Sequence, residues 1–375
     1  MQPAPPVAEP PTFVERSPAG DDLERVLRKN SKLAPLVDQA AELRMQVLVS
    51  VVSPDGRGWQ KREGFRVDAE YFYPASAIKL CSAVAALETL TELRESGAAD
   101  LDVEAGFLSD AVTKRRGTVT SVANLVSGAL VMSDNDASND LFDLAGFDGV
   151  HERMWRLGLS TFRMRHRLGA GFGDIRVSPR VELLTGTRPV ALPAREGKLD
   201  VEKNDQEGVL VGDSYLSGGV LVEEPMSFAE KNRISLADLQ ELLIAVMKPE
   251  LRSTPGPRLG PAERELLVTS LSTLPSSRGL KASADAEHKP FLAGLSRVIP
   301  RGKLTLASKS GRAYGFLVEN AYVLDERTGR SFFLAATLYA NSNRRLNDDT
   351  YDYREVAYPA LADLAEVVAR YALEE

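Results

Sequence analysis

A serine and a lysine three residues apart open a long predicted helix. Ser76 precedes Lys79 in the segment Ser-Ala-Ile-Lys, which begins two residues after Pro74. Residues three apart lie on one face of a helix, so the amine lies beside the hydroxyl. A serine hydroxyl attacks a carbonyl when a base takes its proton, and a lysine serves as that base if burial or a nearby cation lowers its pKa. The same pattern also fits an N-cap serine followed by an exposed lysine.

Two further motifs carry polar side chains suited to the same chemistry. The motif Ser-Asp-Asn at 133–135 lies between two predicted helices, where Asp and Asn commonly cap helices. In a catalytic interpretation, Ser133 relays a proton to a leaving group and the Asn135 amide binds a substrate carbonyl. The motif Lys-Ser-Gly at 309–311 ends a predicted strand, and its glycine allows backbone to approach a ligand closely. An edge-strand lysine followed by a turn has the same pattern.

Elements that position these motifs follow from hydrophobic periodicity. Predicted strands cover 45–52, 65–73, 303–309, 316–325 and 331–340. Predicted helices cover 21–43, 76–94, 122–132, 137–145, 149–157, 236–247, 262–271 and 356–373. Sheet segments therefore come from both ends of the chain, with helices between them.

This order predicts an α/β fold of two domains. A discontinuous α/β domain at 21–75 and 298–375, with an antiparallel sheet flanked by helices, encloses an all-helical domain at 76–297. An insertion at about 177–225 fits neither part, and it is either a lid over the site or a passive surface elaboration. Residues 1–20 are rich in proline and predict a flexible linker.

Composition excludes several classes of protein. Of the 375 residues, 43% are hydrophobic and 26% are charged, as in ordinary globular chains. The 46 Lys and Arg against 53 Asp and Glu give a net charge of −7, which opposes binding to nucleic acid or to anionic membranes. Cys81 is the single cysteine and the three histidines lack metal-ligand spacing, so we expect no disulfide, metal or cofactor. No apolar stretch is long enough to span a bilayer.

In this order, on a helix, a loop and a strand, the three motifs resemble those of the penicillin-recognising serine hydrolases, which include class A β-lactamases and DD-peptidases. Their third motif is usually Lys-Thr-Gly, and Ser310 keeps the hydroxyl. The resemblance extends roughly from Leu43 to the C-terminus and includes Asn139, four residues after Asn135. It implies a β-lactamase/transpeptidase-like fold, in agreement with the order of the predicted elements.

The resemblance implies roles for the helix and loop motifs. Ser76 is the acylated nucleophile and Lys79 is its base. Ser133 relays protons, and Asn135 contacts both the substrate and Lys79.

The strand motif has implied roles in binding. Lys309 and Ser310 bind a substrate carboxylate, and Gly311 keeps the strand close to the ligand. The backbone N–H groups of Ser76 and Arg312 form the oxyanion hole. A charge on Lys309 is also expected to lower the pKa of the neighbouring catalytic lysine.

One departure from the class A pattern concerns deacylation. Class A β-lactamases carry a glutamate, on a loop after the Ser-Asp-Asn helices, that activates the deacylating water. That position falls near Leu168 in this sequence. The resemblance therefore implies an acyl-enzyme that persists, unless His166 or Asp174 supplies the base.

The leading hypothesis is a serine hydrolase that is acylated at Ser76 by a β-lactam or a related amide or ester. The competing hypothesis is a non-hydrolytic sensor that binds β-lactams or peptidoglycan fragments. Such sensors normally carry a membrane segment, which favours the enzyme. We expect a small-molecule β-lactam or a peptidoglycan-like peptide as partner, and a monomer. If Met1 replaces a removed leader the protein is periplasmic or secreted, whereas a lone free cysteine suits the cytoplasm equally.

Overall fold

The structure, a computed structural model, describes residues 21–110, 117–169, 173–186 and 188–373. The predicted linker at 1–20 lies outside the described residues. The α-helices are α1 Asp21–Lys29, α2 Ala34–Asp38, α3 Lys79–Glu95, α4 Val122–Leu130, α5 Asn135–Ala145, α6 Phe147–Arg156, α7 Leu236–Met247, α8 Pro261–Ser272, α9 Ser283–His288, α10 Leu292–Leu295 and α11 Tyr358–Leu373. The strands are β1 Gln46–Val52, β2 Trp59–Phe65, β3 Gly106–Ser109, β4 Thr120–Ser121, β5 Val177–Ser178, β6 Val181–Leu184, β7 Val190–Leu192, β8 Arg195–Glu196, β9 Leu210–Val211, β10 Ser214–Ser217, β11 Val220–Val222, β12 Met226–Ser227, β13 Leu304–Ala313, β14 Phe316–Asp325, β15 Arg330–Tyr339 and β16 Arg345–Leu346.

A five-stranded antiparallel sheet forms the centre of the fold. Its strand order is β13-β14-β15-β1-β2, so β13 lies at one edge. Strands β13 and β14 are joined by the two-residue turn Tyr314-Gly315, and β14 and β15 by the loop at 326–329. The two N-terminal strands, β1 and β2, therefore extend the sheet formed by the three C-terminal strands, β13 to β15.

Both faces of this sheet are buried, which explains why every residue of β1 is buried. Alternate residues of a strand point to opposite faces. Val47 and Val49 pack with the outer helices α1, α2, α10 and α11, whereas Leu48 packs with the helices on the inner face. The structure confirms the predicted α/β fold, with an antiparallel sheet flanked by helices and a helical portion beside it.

Helix α3 is the central helix of the inner layer. Its residues from Lys79 to Thr91 are all buried, because apolar side chains surround the whole helix instead of forming one stripe. A 3₁₀ turn, Ala75–Ile78, precedes it directly. Ser76 therefore lies in a tighter turn than the α-helical first turn that the sequence predicts.

The predicted strand at 65–73 is wrong. The second strand of the sheet is β2, which ends at Phe65. Arg66 and Asp68 have φ angles of 53° and 60°, a left-handed conformation that ends the extended backbone. The aromatic residues that suggested a strand, Tyr71 to Tyr73, instead lie buried before the 3₁₀ turn.

The segment predicted as an insertion forms several small sheets. Strand β6 joins β3 in a four-stranded sheet. Strand β10 pairs in parallel with β16, which follows β15 in the chain. The segment therefore pairs with one strand that precedes it in the chain and with one that follows it. The domain boundaries themselves remain predictions.

Within the described ranges, no helix combines the length and apolar character needed to cross a bilayer. The same residues contain no group of three or more His, Cys, Asp or Glu side chains arranged to hold a metal ion.

His151 is a buried structural histidine of α6. Its Nδ1 lies 2.8 Å from the Phe147 carbonyl oxygen, and its Nε2 accepts a 3.0 Å hydrogen bond from the Met164 N–H. Nδ1 therefore carries the proton and the ring is neutral. Burial lowers the pKa of His151 to about 4.

We expect His151 to make stability depend on pH. Its pKa is lower in the folded chain than in the unfolded chain, so the unfolded state gains a proton first as pH falls from about 6.5. The free energy of unfolding should fall by roughly 3 kcal/mol between about pH 6.5 and about pH 4 through this group. Urea unfolding of the wild type and of His151→Gln at several pH values isolates the effect. An equal pH dependence in both proteins would contradict the assignment.

Candidate active site

The Ser76 hydroxyl lies at the N-terminal end of the central helix. Ser76 is half-buried, and none of the described residues hydrogen-bonds to its hydroxyl. The preceding Ala75 has a φ of 46°, which is rare for a residue with a Cβ and turns the chain sharply from Pro74 into the 3₁₀ turn. This turn presents Ser76 to the edge of the sheet.

Lys79 is completely buried three residues later. Its Nζ donates to the Ser133 carbonyl oxygen and, at 3.2 Å, to the Ser133 hydroxyl oxygen. Burial lowers the pKa of Lys79 to about 7, and the charge of Asp134 opposes this shift. At neutral pH a substantial fraction of this amine is therefore uncharged and able to accept a proton.

Ser133 lies between α4 and α5 with a φ of 55°. The next residue, Asp134, caps α5 by accepting a 3.1 Å hydrogen bond from the Ala137 N–H, so the capping interpretation is correct for this residue. The left-handed backbone at Ser133 turns its carbonyl and its hydroxyl toward the same amine. Strained backbone of this kind is common at functional sites.

Lys309 approaches the same hydroxyl from the sheet. Its Nζ donates to the Ser133 hydroxyl oxygen at 3.1 Å and to the Ser310 carbonyl oxygen at 2.8 Å. Burial, followed by the charges of Lys79 and Lys289, lowers the pKa of Lys309 well below its usual value. Ser133 thus bridges two buried amines, one from α3 and one from β13.

The cause of the low Lys79 pKa differs in part from the sequence prediction. Burial is its main cause, and repulsion between the two amines also contributes to the low pKa of Lys309. Because both amines are buried around one hydroxyl, adding a second positive charge is costly, and at least one amine tends to be neutral.

Ser310 does not face the two amines. Its hydroxyl donates at 2.6 Å to the His288 carbonyl oxygen, and its side chain is 7% exposed. A role for Ser310 in binding a carboxylate therefore needs rotation of its side chain, and it remains a prediction.

Two buried charged residues next to this strand escaped the sequence analysis. The Lys289 Nζ donates to the Leu271 carbonyl oxygen at 2.6 Å and to the Ser308 carbonyl oxygen at 3.3 Å. Glu319 accepts from the Ser308 hydroxyl at 2.7 Å and from the Phe291 N–H at 2.5 Å. Burial lowers the pKa of Lys289 and raises that of Glu319. The available signal was an acidic residue within the otherwise apolar β14.

Gly311 brings the strand against the nucleophile turn. A Cβ added there would lie 2.8 Å from the Ser76 nitrogen and 2.7 Å from the Ala77 nitrogen, and closer still to the Pro74 carbonyl oxygen. No real side chain fits at such distances. The glycine is therefore required for the approach of β13 to Ser76.

The side chains of Asn135 and Arg312 lie outside the buried cluster. Asn135 is the exposed first residue of α5, and the hydrogen bonds of Lys79 go to Ser133 instead. The Arg312 guanidinium donates to the Tyr358 hydroxyl at 2.8 Å on the outer side of the sheet. Only the backbone N–H of Arg312 is available for the predicted oxyanion hole, which remains a prediction.

The loop that carries Leu168 is held by two buried asparagines. Asn139 donates to the Leu168 carbonyl oxygen at 2.9 Å and accepts from the Leu168 N–H at 3.0 Å. Asn232 accepts from the Arg165 and His166 N–H groups at 2.8 and 3.1 Å and donates to the His166 carbonyl oxygen at 3.1 Å. The backbone of this loop is therefore fixed at Leu168 and at the two residues 165 and 166 that precede it.

The two groups considered as substitute bases have different environments. Asp174 is an exposed residue whose carboxylate pairs with Arg176 at 2.8 Å. The His166 Nδ1 lies 2.7 Å from the Arg167 carbonyl oxygen, which leaves Nε2 unprotonated in the neutral ring, 3.5 Å from the Tyr73 hydroxyl. Because Tyr73 is three residues from Ser76, His166 is the better placed of the two.

The arrangement suits acyl transfer. A half-buried hydroxyl stands at a tight turn, an amine with a lowered pKa lies three residues away, and a second hydroxyl links that amine to another cation. A glycine brings backbone N–H groups of an edge strand alongside. These are the parts required for a nucleophile, a base, a proton relay and an oxyanion site.

The model described as the Beta-lactamase enzyme family matches residues 31–358. Curated protein sequences give no match.

Solved structures share the fold at low sequence identity. A leucine-to-glutamate mutant of PBP-A, in an acyl-enzyme complex with penicillin G, has a TM-score of 0.55 at 14% identity, and the match covers 94% of this chain and 97% of that one. A β-lactamase from Desulfarculus baarsii has a TM-score of 0.52 at 19% identity, with 94% and 98% covered. The chromosome-encoded β-lactamase of Vibrio parahaemolyticus has a TM-score of 0.53 at 14% identity, with 93% and 100% covered.

Gly311→Ala should force β13 away from the nucleophile turn, because the added methyl group would overlap backbone atoms of 74–77. We expect a loss of roughly 1 to 3 kcal/mol in the free energy of unfolding, measured by urea denaturation. Gly302→Ala is the matched control, since a Cβ there meets no atom within 4 Å. Equal stability of the two variants would show that the strand does not depend on this approach.

Proposed function

Because the chain belongs to the Beta-lactamase enzyme family, we propose that it is a serine hydrolase acylated at Ser76 by a β-lactam or a related amide or ester, and that the acyl-enzyme is long-lived. The observation that carries the proposal is the Ser133 hydroxyl, which lies within hydrogen-bond distance of Lys79, three residues after Ser76, and of Lys309, two residues before Gly311.

Acylation uses the uncharged form of Lys79. As the Ser76 oxygen bonds to the carbonyl carbon, its proton passes to the Lys79 amine. The carbonyl oxygen becomes an oxyanion that the N–H groups of Ser76 and Arg312 stabilise. When the carbon–nitrogen bond breaks, the proton moves from Lys79 through the Ser133 hydroxyl to the leaving nitrogen, and the amine is again uncharged.

Lys309 favours substrates that carry a negative charge on the leaving-group side of the scissile bond. Its ammonium is buried at the inner face of β13, two residues before Gly311. A carboxylate attached near the leaving nitrogen, as in a penicillin or in the C-terminal residue of a peptide, offers the opposite charge. The substrate class is therefore a β-lactam or a peptidoglycan-like peptide, which also favours a periplasmic or secreted location.

Slow deacylation follows from the apolar side chain of Leu168. Its backbone is clamped by Asn139, and its side chain is 5% exposed within the inner core. An alkyl group neither holds a water by hydrogen bonds nor takes its proton. The structure of the PBP-A mutant in an acyl-enzyme complex with penicillin G supports a penicillin as the first test ligand.

Ser76→Ala should abolish covalent labelling by a fluorescent penicillin, because only the attacking oxygen is removed. Intact-protein mass spectrometry after mixing with benzylpenicillin should show an adduct on the wild type alone. An unchanged urea midpoint in the variant separates loss of the nucleophile from loss of the fold. A labelled Ser76→Ala protein would place the nucleophile elsewhere, and an unlabelled wild type would overturn the proposed function.

The second-order acylation rate should rise with pH and level off above about 7. The folded pKa of Lys79 is about 7, so the uncharged base is present above that pH and is lost below it. Stopped-flow labelling with a fluorescent penicillin between pH 5.5 and 8.5 gives the profile. Lys79→Arg, which stays charged throughout, should remain inactive over the whole range. A flat wild-type profile would show that Lys79 is not the base.

Leu168→Glu should shorten the lifetime of the acyl-enzyme by ~10²-fold or more, because a carboxylate can act as a general base toward water. The lifetime is measured by mass spectrometry after excess benzylpenicillin has been removed. Leu168→Gln is the matched control, since it has a similar shape and no base. Rapid wild-type turnover without a detectable adduct would contradict slow deacylation.

A further inference from the structure

The turn beyond Gly311 holds a tyrosine in a conformation that tyrosine rarely adopts. Tyr314 and Gly315 form the two-residue turn between β13 and β14, with φ angles of 54° and 83°. Such turns favour Asn and Gly, and a bulky residue at the first position is strained. Retained strain at the end of a site strand points to a use for the side chain.

The Tyr314 ring belongs to an aromatic group that reaches back to the nucleophile turn. Its centroid lies 5.3 Å from that of Tyr73, edge-on at 75°, and 5.3 Å from that of Phe228, at 87°. Tyr73 precedes Ser76 by three residues. Tyr314 is half-buried, whereas Tyr73 and Phe228 are buried, so the partly open edge of the group is at Tyr314.

A cation lies on this open edge. The Lys231 Nζ is 5.3 Å from the Tyr314 ring centroid and 3.4 Å from its hydroxyl. Among the described residues, no carboxylate lies within 4.0 Å of this ammonium. The adjacent Glu230 is already paired with Arg165 and Lys203. Lys231 is thus a half-buried charge without a counter-ion in the described part of the chain.

The direction of β13 indicates that Lys231 lies near the acyl part of the substrate, on the opposite side of the scissile bond from Lys309. Strand β13 passes Ser76 at Gly311, and Lys309, which we assign to the leaving part, comes two residues earlier. Tyr314 comes three residues after Gly311, in the turn just beyond the end of β13. The two cations therefore lie on opposite sides of the reacting carbonyl.

We propose that Lys231, supported by Tyr314 and Tyr73, forms a subsite for an anionic group on the acyl part of the substrate. This inference rests on the proposed function and adds that the acyl donor carries two negative charges, one on each side of the bond that is broken. The ligand class is an acyl donor with a carboxylate a few bonds from its carbonyl carbon and an apolar stem that packs on the aromatic rings.

The electrostatics of the surroundings agree with an anionic occupant. Burial, together with the charge of Lys231, lowers the pKa of His166, whose ring stacks on Tyr73 at 6.2 Å. His166 is therefore uncharged at neutral pH. The Arg312 guanidinium is 5.4 Å from the Tyr353 ring and hydrogen-bonded to Tyr358 on the outer side. Lys231 thus supplies the charge on the inner side of this end of the groove.

Three penicillins that differ at one carbon of the acyl side chain test the subsite. Benzylpenicillin is neutral there, carbenicillin carries a carboxylate and ampicillin carries an ammonium group. Second-order acylation rates are measured by competition with a fluorescent penicillin at low and at high salt. The wild type should react fastest with carbenicillin and slowest with ampicillin. The differences between the three acylation rates should become smaller at high salt, because charge attraction is screened.

Substitutions of Lys231 should change this order. Lys231→Met should lower the ratio of the carbenicillin rate to the benzylpenicillin rate by about tenfold, and Lys231→Glu should place ampicillin first. Tyr314→Asn suits the turn and removes the ring, so it should fold well and also lower the ratio. The matched control is Lys203→Met, which removes an exposed lysine that pairs with Glu230 and should keep the wild-type ratio.

The outcomes separate this inference from the function on which it rests. If benzylpenicillin labels every variant and the ratio is the same in the wild type and in Lys231→Met, the subsite is refuted while the serine hydrolase remains. If Lys203→Met lowers the ratio as much as Lys231→Met, the effect is one of overall charge and the subsite is also refuted. If none of the three penicillins labels the wild type, both proposals fail.

Discussion

The geometry of the site depends on the burial of two lysine amines around one serine hydroxyl. A buried ammonium is expensive unless its protons are hydrogen-bonded, and two of them repel each other. The Ser133 hydroxyl and carbonyl, together with the Ser310 carbonyl, supply the required acceptors. This requirement accounts for the left-handed backbone at Ser133 and for the junction between the central helix and the edge strand. It also keeps the amine beside the nucleophile close to neutrality.

Short-range patterns predicted much of the fold and the main residues of the candidate site. Helices α3 to α8, helix α11 and the three C-terminal strands follow from hydrophobic periodicity because each has a continuous pattern. The helix predicted at 21–43 is instead two short helices, α1 and α2, and the short helices α9 and α10 were not predicted. The strand predicted at 65–73 failed because aromatic residues can be buried without being extended, and the left-handed residues Arg66 and Asp68 have no marked sequence signature. Ser76, Lys79, Ser133 and Lys309 were predicted from motif order. The last three meet in space, and the backbone of Ser76 lies against Gly311. Their chemical roles are proposals.

The residues that the sequence analysis missed act over long distances along the chain. Asn232 holds His166 from 66 residues away. Lys231 reaches Tyr314 from a loop 83 residues earlier. No local spacing joins such pairs, since their proximity is a result of tertiary folding. The sequence offered two local signals: an acidic residue, Glu319, within a mostly apolar strand, and a tyrosine, Tyr314, before a glycine at a hairpin turn.

The approach of β13 to the nucleophile turn also has a consequence for biosynthesis. Ser76 is made early, whereas Lys309 and Gly311 lie more than 200 residues later in the chain. Until that strand emerges and pairs, the serine lacks the second cation and the backbone that completes its groove. A nascent or truncated chain that lacks β13 therefore contains Ser76 without the complete groove. Contacts of such high sequence separation also slow folding, so the complete site requires a slower step than the local turn around Ser76.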